Sequence, residues 1–216
     1  MRKTDLRRKK RGYVMKFLIS GVMVIFVLIG TGFIYETRMS SKDMESFPSP
    51  GKLINVGGYK LHLYCTGEVK EGQPTVILAS AGGLASADWA LVQPEIAKFA
   101  RVCSYDRAGY GWSDSGPLPR TSQQIATELR TMLENADEIN SYILVGHSFG
   151  GHTIRLFAAQ YPSDVQGIVL VDARPEDMLE IPILQEIGDG SATGKFKILT
   201  FLSRIGITRL LGAALL

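Results

Sequence analysis

The sequence predicts an α/β protein: a mostly parallel β-sheet flanked by helices, preceded by a transmembrane helix. Three observations carry this expectation. Residues 17–35 hold no charged side chain and follow a strongly basic tail. From about residue 75 to 172, short apolar runs alternate with stretches of helical periodicity. Between one such run and one such stretch stands Gly146-His147-Ser148-Phe149-Gly150.

The elements follow in chain order. Residues 1–16 carry eight Lys and Arg against Asp5 alone and read as a basic cytoplasmic tail. The nineteen residues 17–35 extend about 28 Å as a helix, close to the ~30 Å of a bilayer core. With the basic flank on the N-terminal side, the positive-inside rule places that end in the cytoplasm and residues 36 onward outside. A cleaved signal peptide is the competing reading. It is disfavoured because Gly30-Thr31-Gly32 is a poor cleavage site and the apolar run exceeds a signal core of ~7–15 residues. Residues 36–51, with Ser40, Ser41, Ser46, Pro48, Ser49, Pro50 and Gly51, read as a linker.

Val76-Ile77-Leu78-Ala79 is short and wholly apolar, as a buried parallel strand should be. Ser80-Ala81-Gly82-Gly83 follows as a loop. Arg101 to Tyr105 is the next strand, leading into the glycine-rich stretch 106–113. Thr121 or Ser122 caps a helix with Ile125, Leu129, Met132 and Leu133 on one face. Tyr142-Ile143-Leu144-Val145 is another buried strand. Gly146, Gly150 and Gly151 crowd the turn after it, where a serine hydroxyl is presented at a tight strand-to-helix junction. Ile154, Phe157 and Ala158 recur at helical spacing until Tyr161-Pro162 ends the helix. Gly167 to Asp172 is a further strand.

The pentapeptide alone is a weak signal, but its context is specific. Asp106-x-x-Gly109-x-Gly111-x-Ser113, the glycine-rich loop after 76–79, Gly146-His147-Ser148-Phe149-Gly150-Gly151 and Leu170-Val171-Asp172 together resemble the α/β-hydrolase fold family. Lys52 to Gly67 resembles the opening β-hairpin of its lipase- and esterase-like members. The match covers roughly residues 51–180, in the family's order, so residues 52–172 are expected to form the N-terminal part of a hydrolase core. The resemblance implies that Ser148 is the nucleophile. It implies an oxyanion hole from the backbone N–H of Phe149 and one N–H of the 80–83 loop. Many relatives carry His-Gly where this chain has Ser80-Ala81. That leaves Ala81 and Gly82 as alternative donors, with Gly82 preferred.

A serine nucleophile needs a base, and in this family the base comes late. The chain has three histidines and none after His152. His147 adjoins the serine but points into the fold, His152 lies one helical turn on, and His62 alternates with Leu61 and Leu63 in the early hairpin. Each is expected to be structural, as is Asp106. Asp172 is the candidate acid, since some family members carry it after that strand; a loop-capping carboxylate is the competing reading. The triad histidine is therefore expected beyond residue 216, and the 216-residue form is expected to be inactive. Residues 173–216, punctuated by Pro175, Pro182, Gly188, Gly190 and Gly194, fall where the family begins a helical cap. From Lys195 to Leu216 they form an amphipathic stretch that includes Phe196, Leu199, Leu202, Ile205 and Leu210; a helix lying on a membrane surface is an alternative for it.

By the strand order the resemblance implies, Cys65 and Cys103 lie on adjacent strands. A disulfide fits there in an oxidising compartment; a pair of buried thiols is the simpler expectation.

Composition sets the remaining bounds. The chain carries 24 basic and 21 acidic residues, but 16 and 20 once the first 16 residues are removed. The basic excess thus belongs to the tail beside the apolar span, which argues against nucleic acid as a partner. Two cysteines exclude a cysteine-based zinc site, and no cofactor or metal is expected. The function expected is hydrolysis of a carboxylic-ester-like bond in a small-molecule substrate by a membrane-anchored serine hydrolase. The alternative is a non-catalytic hydrolase-like binding protein.

Overall fold

The computed structural model describes residues 2–138, 141–173, 175 and 191–213. The chain forms two compact units, Met1–Pro48 with Glu180–Leu216, and Ser49–Leu179. The breaks expected at Pro182, Gly188 and Gly190 lie outside the described residues.

In the first unit, helix α1 runs unbroken from Arg2 to Ser46. From Phe17 to Leu28 its apolar side chains project outward, Phe17 being 79% and Phe26 70% exposed. One helix of the described residues is thus long and apolar enough to cross a membrane. The linker expected at 36–51 is a correction: it is helical through Ser46. No glycine or proline falls between Phe33 and Ser46. The hydroxyl side chains there bond within the helix, Thr37 to the Phe33 carbonyl at 2.8 Å and Ser41 to the Thr37 carbonyl at 3.0 Å. The breakers are confined to 48–51, and the residue before a proline disfavours the helical region. Helix α5 (Ser191–Arg204) and helix α6 (Ile207–Ala213) complete the unit. The single amphipathic stretch expected from Lys195 is therefore two helices, broken at Gly206 with φ +74°.

The second unit is one sheet of six strands: β1 (Lys52–Asn55), β2 (Lys60–Thr66), β3 (Thr75–Ala79), β4 (Val102–Tyr105), β5 (Tyr142–His147) and β6 (Val165–Val171). Their spatial order is β1-β2-β4-β3-β5-β6. β1 and β2 form the antiparallel hairpin, β2 pairs antiparallel with β4, and all later pairs are parallel. The hairpin turn is set by Asn55, whose Oδ1 accepts the N–H groups of Gly57 and Gly58 at 2.8 and 3.0 Å.

Alternation along β3 divides the core between two faces. On one side Ile77 joins Leu61, Cys103, Leu144 and the inner faces of helices α3 (Ser122–Asn135) and α4 (Phe149–Gln160): Leu129, Met132, Leu133, Ile154 and Phe157. On the other, Val76 and Leu78 pack with Trp89, Val102 and Ile96 of the short helix α2 (Gln93–Ile96). The cap of α3 is Thr121, whose hydroxyl oxygen accepts the Gln124 N–H at 3.2 Å. β6 starts two residues before the expected Gly167 and forms the edge of the sheet among the described residues; Ile168 to Val171 are 41–48% exposed.

Cys65 and Cys103 face each other in the β2–β4 register and are joined by a disulfide, with Cα atoms 4.0 Å apart. This corrects the expectation of two buried thiols. Antiparallel partners without mutual hydrogen bonds approach most closely, so this register brings the two sulfurs within bonding reach. Glu138 lies beside the pair, but disulfide sulfurs are not thiolates and supply no metal ligand.

Candidate active site

Ser148 stands between β5 and α4 with φ +49° and ψ −114°. A non-glycine residue there stores about 1–3 kcal/mol of strain and persists only if its surroundings over-determine it. Several features do so. Its N–H donates to the Val171 carbonyl at 3.1 Å, and its own carbonyl accepts from the Gly151 N–H at 3.0 Å. A Cβ at Gly146 would sit 2.7 Å from the Gly151 nitrogen and from Ile154 Cδ1. At Gly150 it would collide with the Ala79 carbonyl, and at Gly151 it would meet Ala173 Cβ at 2.6 Å. The glycines around Ser148 are thus demanded by close approach of backbone to β3 and of α4 to the end of β6. The Ser148 side chain makes no capping bond to α4.

The 80–83 loop lies against the start of α4: a Cβ on Gly82 would be 3.5 Å from Phe149 Cβ. Arg107 holds this loop and was not singled out by the sequence. It is 5% exposed and donates to the carbonyls of Ser80 and Ala81 at 2.6 Å each, and to that of Leu84 at 3.3 Å. Its guanidinium lies 5.0 Å from the Tyr110 ring centroid and 5.3 Å from that of Phe149. Peptide units are planar and trans, so C=O and N–H of one unit point oppositely. Fixing the Ser80 and Ala81 carbonyls on Arg107 therefore directs the N–H groups of Ala81 and Gly82 away from it. Ala81 is buried, whereas Gly82 is exposed and lines a cavity.

That cavity measures about 340 Å³ and is lined by Gly82, Arg107, Ala108, Tyr110, Arg120, Ile125 and Phe149. Arg120 is committed elsewhere, forked onto the Glu128 carboxylate at 2.5 and 2.6 Å. The walls are otherwise mainly apolar. A smaller cavity of about 110 Å³ is lined by Ser80, Asp88, Trp89, His147 and Val171.

Asp172 immediately follows the residue whose carbonyl holds Ser148, and has φ +43°. It is exposed at the end of β6. The histidines are distributed differently. His62 is fully buried, with Nδ1 2.9 Å from Asp106 Oδ2. Asp106 also accepts the N–H groups of Ser86 at 2.6 Å and Trp112 at 3.1 Å. Burial raises the Asp106 carboxyl, but these hydrogen bonds, led by that of His62, outweigh it and hold the group below its ordinary range. A Cβ on Gly111 would strike this carboxylate, and φ +51° there also favours glycine. His62 and Asp106 thus organise the 106–113 turn. His147 is the last residue of β5, and His152 lies on α4 with its ring 6.2 Å from that of Phe149.

A family model described as alpha/beta hydrolase fold matches residues 74–193. An uncharacterised protein of Schizosaccharomyces pombe is 29% identical over 192 residues, 76% of this chain and 35% of that protein. An uncharacterised vacuolar membrane protein of Saccharomyces cerevisiae is 31% identical over 152 residues, 61% of this chain and 24% of its own. The 2-hydroxymuconate semialdehyde hydrolase of a Pseudomonas strain is 30% identical over 129 residues, 59% of this chain and 44% of that enzyme. The chain spans less than half the length of each of these three proteins. Among solved structures, a meta-cleavage product hydrolase of Pseudomonas fluorescens superposes with TM-score 0.51 at 28% identity, over 58% of this chain and 46% of that one. An α/β hydrolase from a deep-sea metagenome reaches TM-score 0.60 over 71% of this chain and 55% of its own, a likeness of fold at 19% identity. Strand order, the glycine-packed turn at Ser148 and a family match over residues 74–193 agree: the chain belongs to the α/β-hydrolase fold family.

Proposed function

We propose that this chain carries the nucleophile of a membrane-anchored serine hydrolase that cleaves a carboxylic-ester-like bond in a small molecule. Ser148 Oγ attacks the carbonyl carbon and gives its proton to a general base, which returns it to the alcohol that departs as the C–O bond breaks, leaving the acyl group on Oγ. The N–H groups of Phe149 and Gly82 receive the oxyanion, and water releases the acyl group. Asp172 is the candidate acid, supported by its place directly after Val171 beside the serine. No cofactor takes part in this chemistry. The observation that carries the reading is the strained Ser148 backbone, held by the Val171 carbonyl and by glycine clearances next to a cavity that Gly82 and Phe149 both line.

None of His62, His147 and His152 is assigned as the base. Loss of the histidine from a serine protease triad costs on the order of 10⁶ in turnover. Labelling with a fluorophosphonate therefore reports whether a base reaches Ser148. The natural protein should label at Ser148, and Ser148→Ala should abolish it; an unreactive natural protein would refute serine hydrolysis and favour a binding protein.

The anchor places the hydrolase unit outside the cytoplasm. Support comes from the exposed apolar face of α1, the basic N-terminal flank and the vacuolar membrane relative. The Cys65–Cys103 disulfide points the same way, since such bonds persist in oxidising compartments. A periplasm-type phosphatase fused after Ser49 should be active, and activity of a cytoplasm-only reporter at that position would reverse the orientation.

A further inference from the structure

Helices α5 and α6 dock on α1 at one defined height. A Cβ on Gly32 would collide with the Ile205 carbonyl, and one on Gly206 would lie 3.1 Å from Tyr35 Cδ1. The α5–α6 turn therefore touches α1 backbone to backbone. Arg209 of α6 reaches further along, donating to both Glu36 carboxylate oxygens at 2.9 and 3.0 Å and to Asp43 at 2.7 Å. Its hydrogen bonds hold the Glu36 carboxyl below the ordinary range, ahead of the opposing effect of burial.

These contacts have a position on the span. Gly32 lies three residues inside Tyr35, the last residue of the uncharged segment, or about 5 Å at 1.5 Å per residue. Glu36 lies just beyond it. The turn at Ile205–Gly206 thus sits level with the final turn of the span, and Arg209 reaches from Glu36, the first charge outside it, to Asp43, about 12 Å beyond Tyr35 along the helix. Yet both docked helices expose large apolar side chains: Ile198, Leu199 and Phe201 on α5, Leu210 and Leu211 on α6, each 49–61% exposed. Lys197 and Arg204 are also exposed, and at a bilayer surface such side chains reach the headgroups while their stems lie in apolar surroundings.

We propose that the α5–α6 hairpin is an interfacial membrane element, seated in the leaflet at the Tyr35 end of the span, with these five apolar side chains in the acyl–headgroup boundary. It rests on the reading that residues 17–35 cross the bilayer. The occupant of the apolar surface is lipid because the hairpin is fixed to α1 where α1 itself meets the edge of the hydrocarbon layer. The surface is continuous with the span and needs no further chain to cover it.

The test uses the whole 216-residue chain in vesicles of phosphatidylcholine and phosphatidylglycerol. The disulfide occupies both native cysteines, so single cysteines introduced as Leu199→Cys, Leu210→Cys, Phe26→Cys and Leu118→Cys each take one environment-sensitive fluorophore. Phe26 reports the span. Leu118, 84% exposed on the hydrolase unit, reports open water. Lipids with a quencher near the headgroup should lower emission at 199 and 210 by about twofold and leave 118 unchanged, with aqueous iodide doing the reverse. Iodide quenching at 199 and 210, or shielding from both quenchers, overturns the interfacial element while a lipid-quenched Phe26 label leaves the span standing. A Phe26 label beyond reach of deep lipid quenchers refutes the span and the hairpin's seat together.

Discussion

Replacing Arg107 with methionine keeps much of the side-chain length and removes the guanidinium. Arg107 is almost completely buried, and the carbonyls it serves at 2.6 Å belong to Ser80 and Ala81, both buried as well. The Ala81 carbonyl keeps the Leu84 N–H at 3.2 Å, so the Ser80 carbonyl is the one left without its partner, at a cost of about 1–3 kcal/mol. Leu84, the third acceptor, is exposed and turns to water. The two ring contacts, at Tyr110 and Phe149, add about 0.5–1 kcal/mol each. Relaxation of an exposed loop recovers part of this, and the expected loss is about 2 kcal/mol. The assay is urea unfolding of the full chain in micelles, followed by tryptophan fluorescence. Both tryptophans, Trp89 and Trp112, lie in the hydrolase unit, so α1 is silent. Arg107→Lys should fall between, since an ammonium is a point donor and cannot hold two carbonyls in a fixed fork. Amide exchange at Ala81 and Gly82 should accelerate in both variants. An Arg107→Met protein within about 0.5 kcal/mol of the parent, the size of an ordinary surface change, would refute the clamp.

Three further outcomes follow from other parts of the unit. Cys65 and Cys103 are 38 residues apart, so replacing both with alanine should cost about 4 kcal/mol by loop closure, read as a lower urea midpoint that reductant no longer shifts. Gly150→Ala drives a Cβ into the Ala79 carbonyl, and overpacking against backbone should cost at least about 1–3 kcal/mol, with an unchanged midpoint contradicting the geometry. Asp106 has a folded pKa below its unfolded one, so its contribution is present above about pH 4 and lost as pH falls through the folded value; the gap in urea midpoint between the parent and Asp106→Asn should narrow only below about pH 4.

The parts of the fold that sequence makes legible are those governed by near neighbours. β3 is a short, mostly apolar run buried on both faces, β5 an apolar run that alternates buried and half-buried positions, and the Ser148 turn is written in the glycines that its own geometry requires. Features that depend on distant partners were harder to read. The disulfide required the β2–β4 register, which places Cys65 opposite Cys103. Arg107 follows Asp106 in a loop already explained by its glycines, and its carbonyl partners lie 23 to 27 residues earlier. Arg209 meets Glu36 across 173 residues. The 36–46 segment was misread for a different reason. Its serines resemble linker composition, but they bond back onto the helix, and the true breakers start only at Pro48.

Two different devices preorganise the candidate site, and both act through backbone. The first is strain. At φ +49° the half-buried Ser148 keeps its place at the turn because β6 holds its N–H and β3 leaves no room for anything beyond glycine at 150. The second is polarity. A buried cation consumes the carbonyl side of two peptide units, so their N–H sides face the opposite direction. Neither device depends on a side chain of the 80–83 loop, so on the proposed reading Ser80-Ala81 in place of the His-Gly of many relatives leaves the backbone donors unaltered. The donors belong to the chain itself. Their aim is set by Arg107, which the neighbouring His62–Asp106 pair helps to locate by fixing the turn from which it projects. On the proposed reading the chemistry would be carried by where the backbone is held, and activity should then be more sensitive to Arg107 and Gly150 than to any side chain of the 80–83 loop.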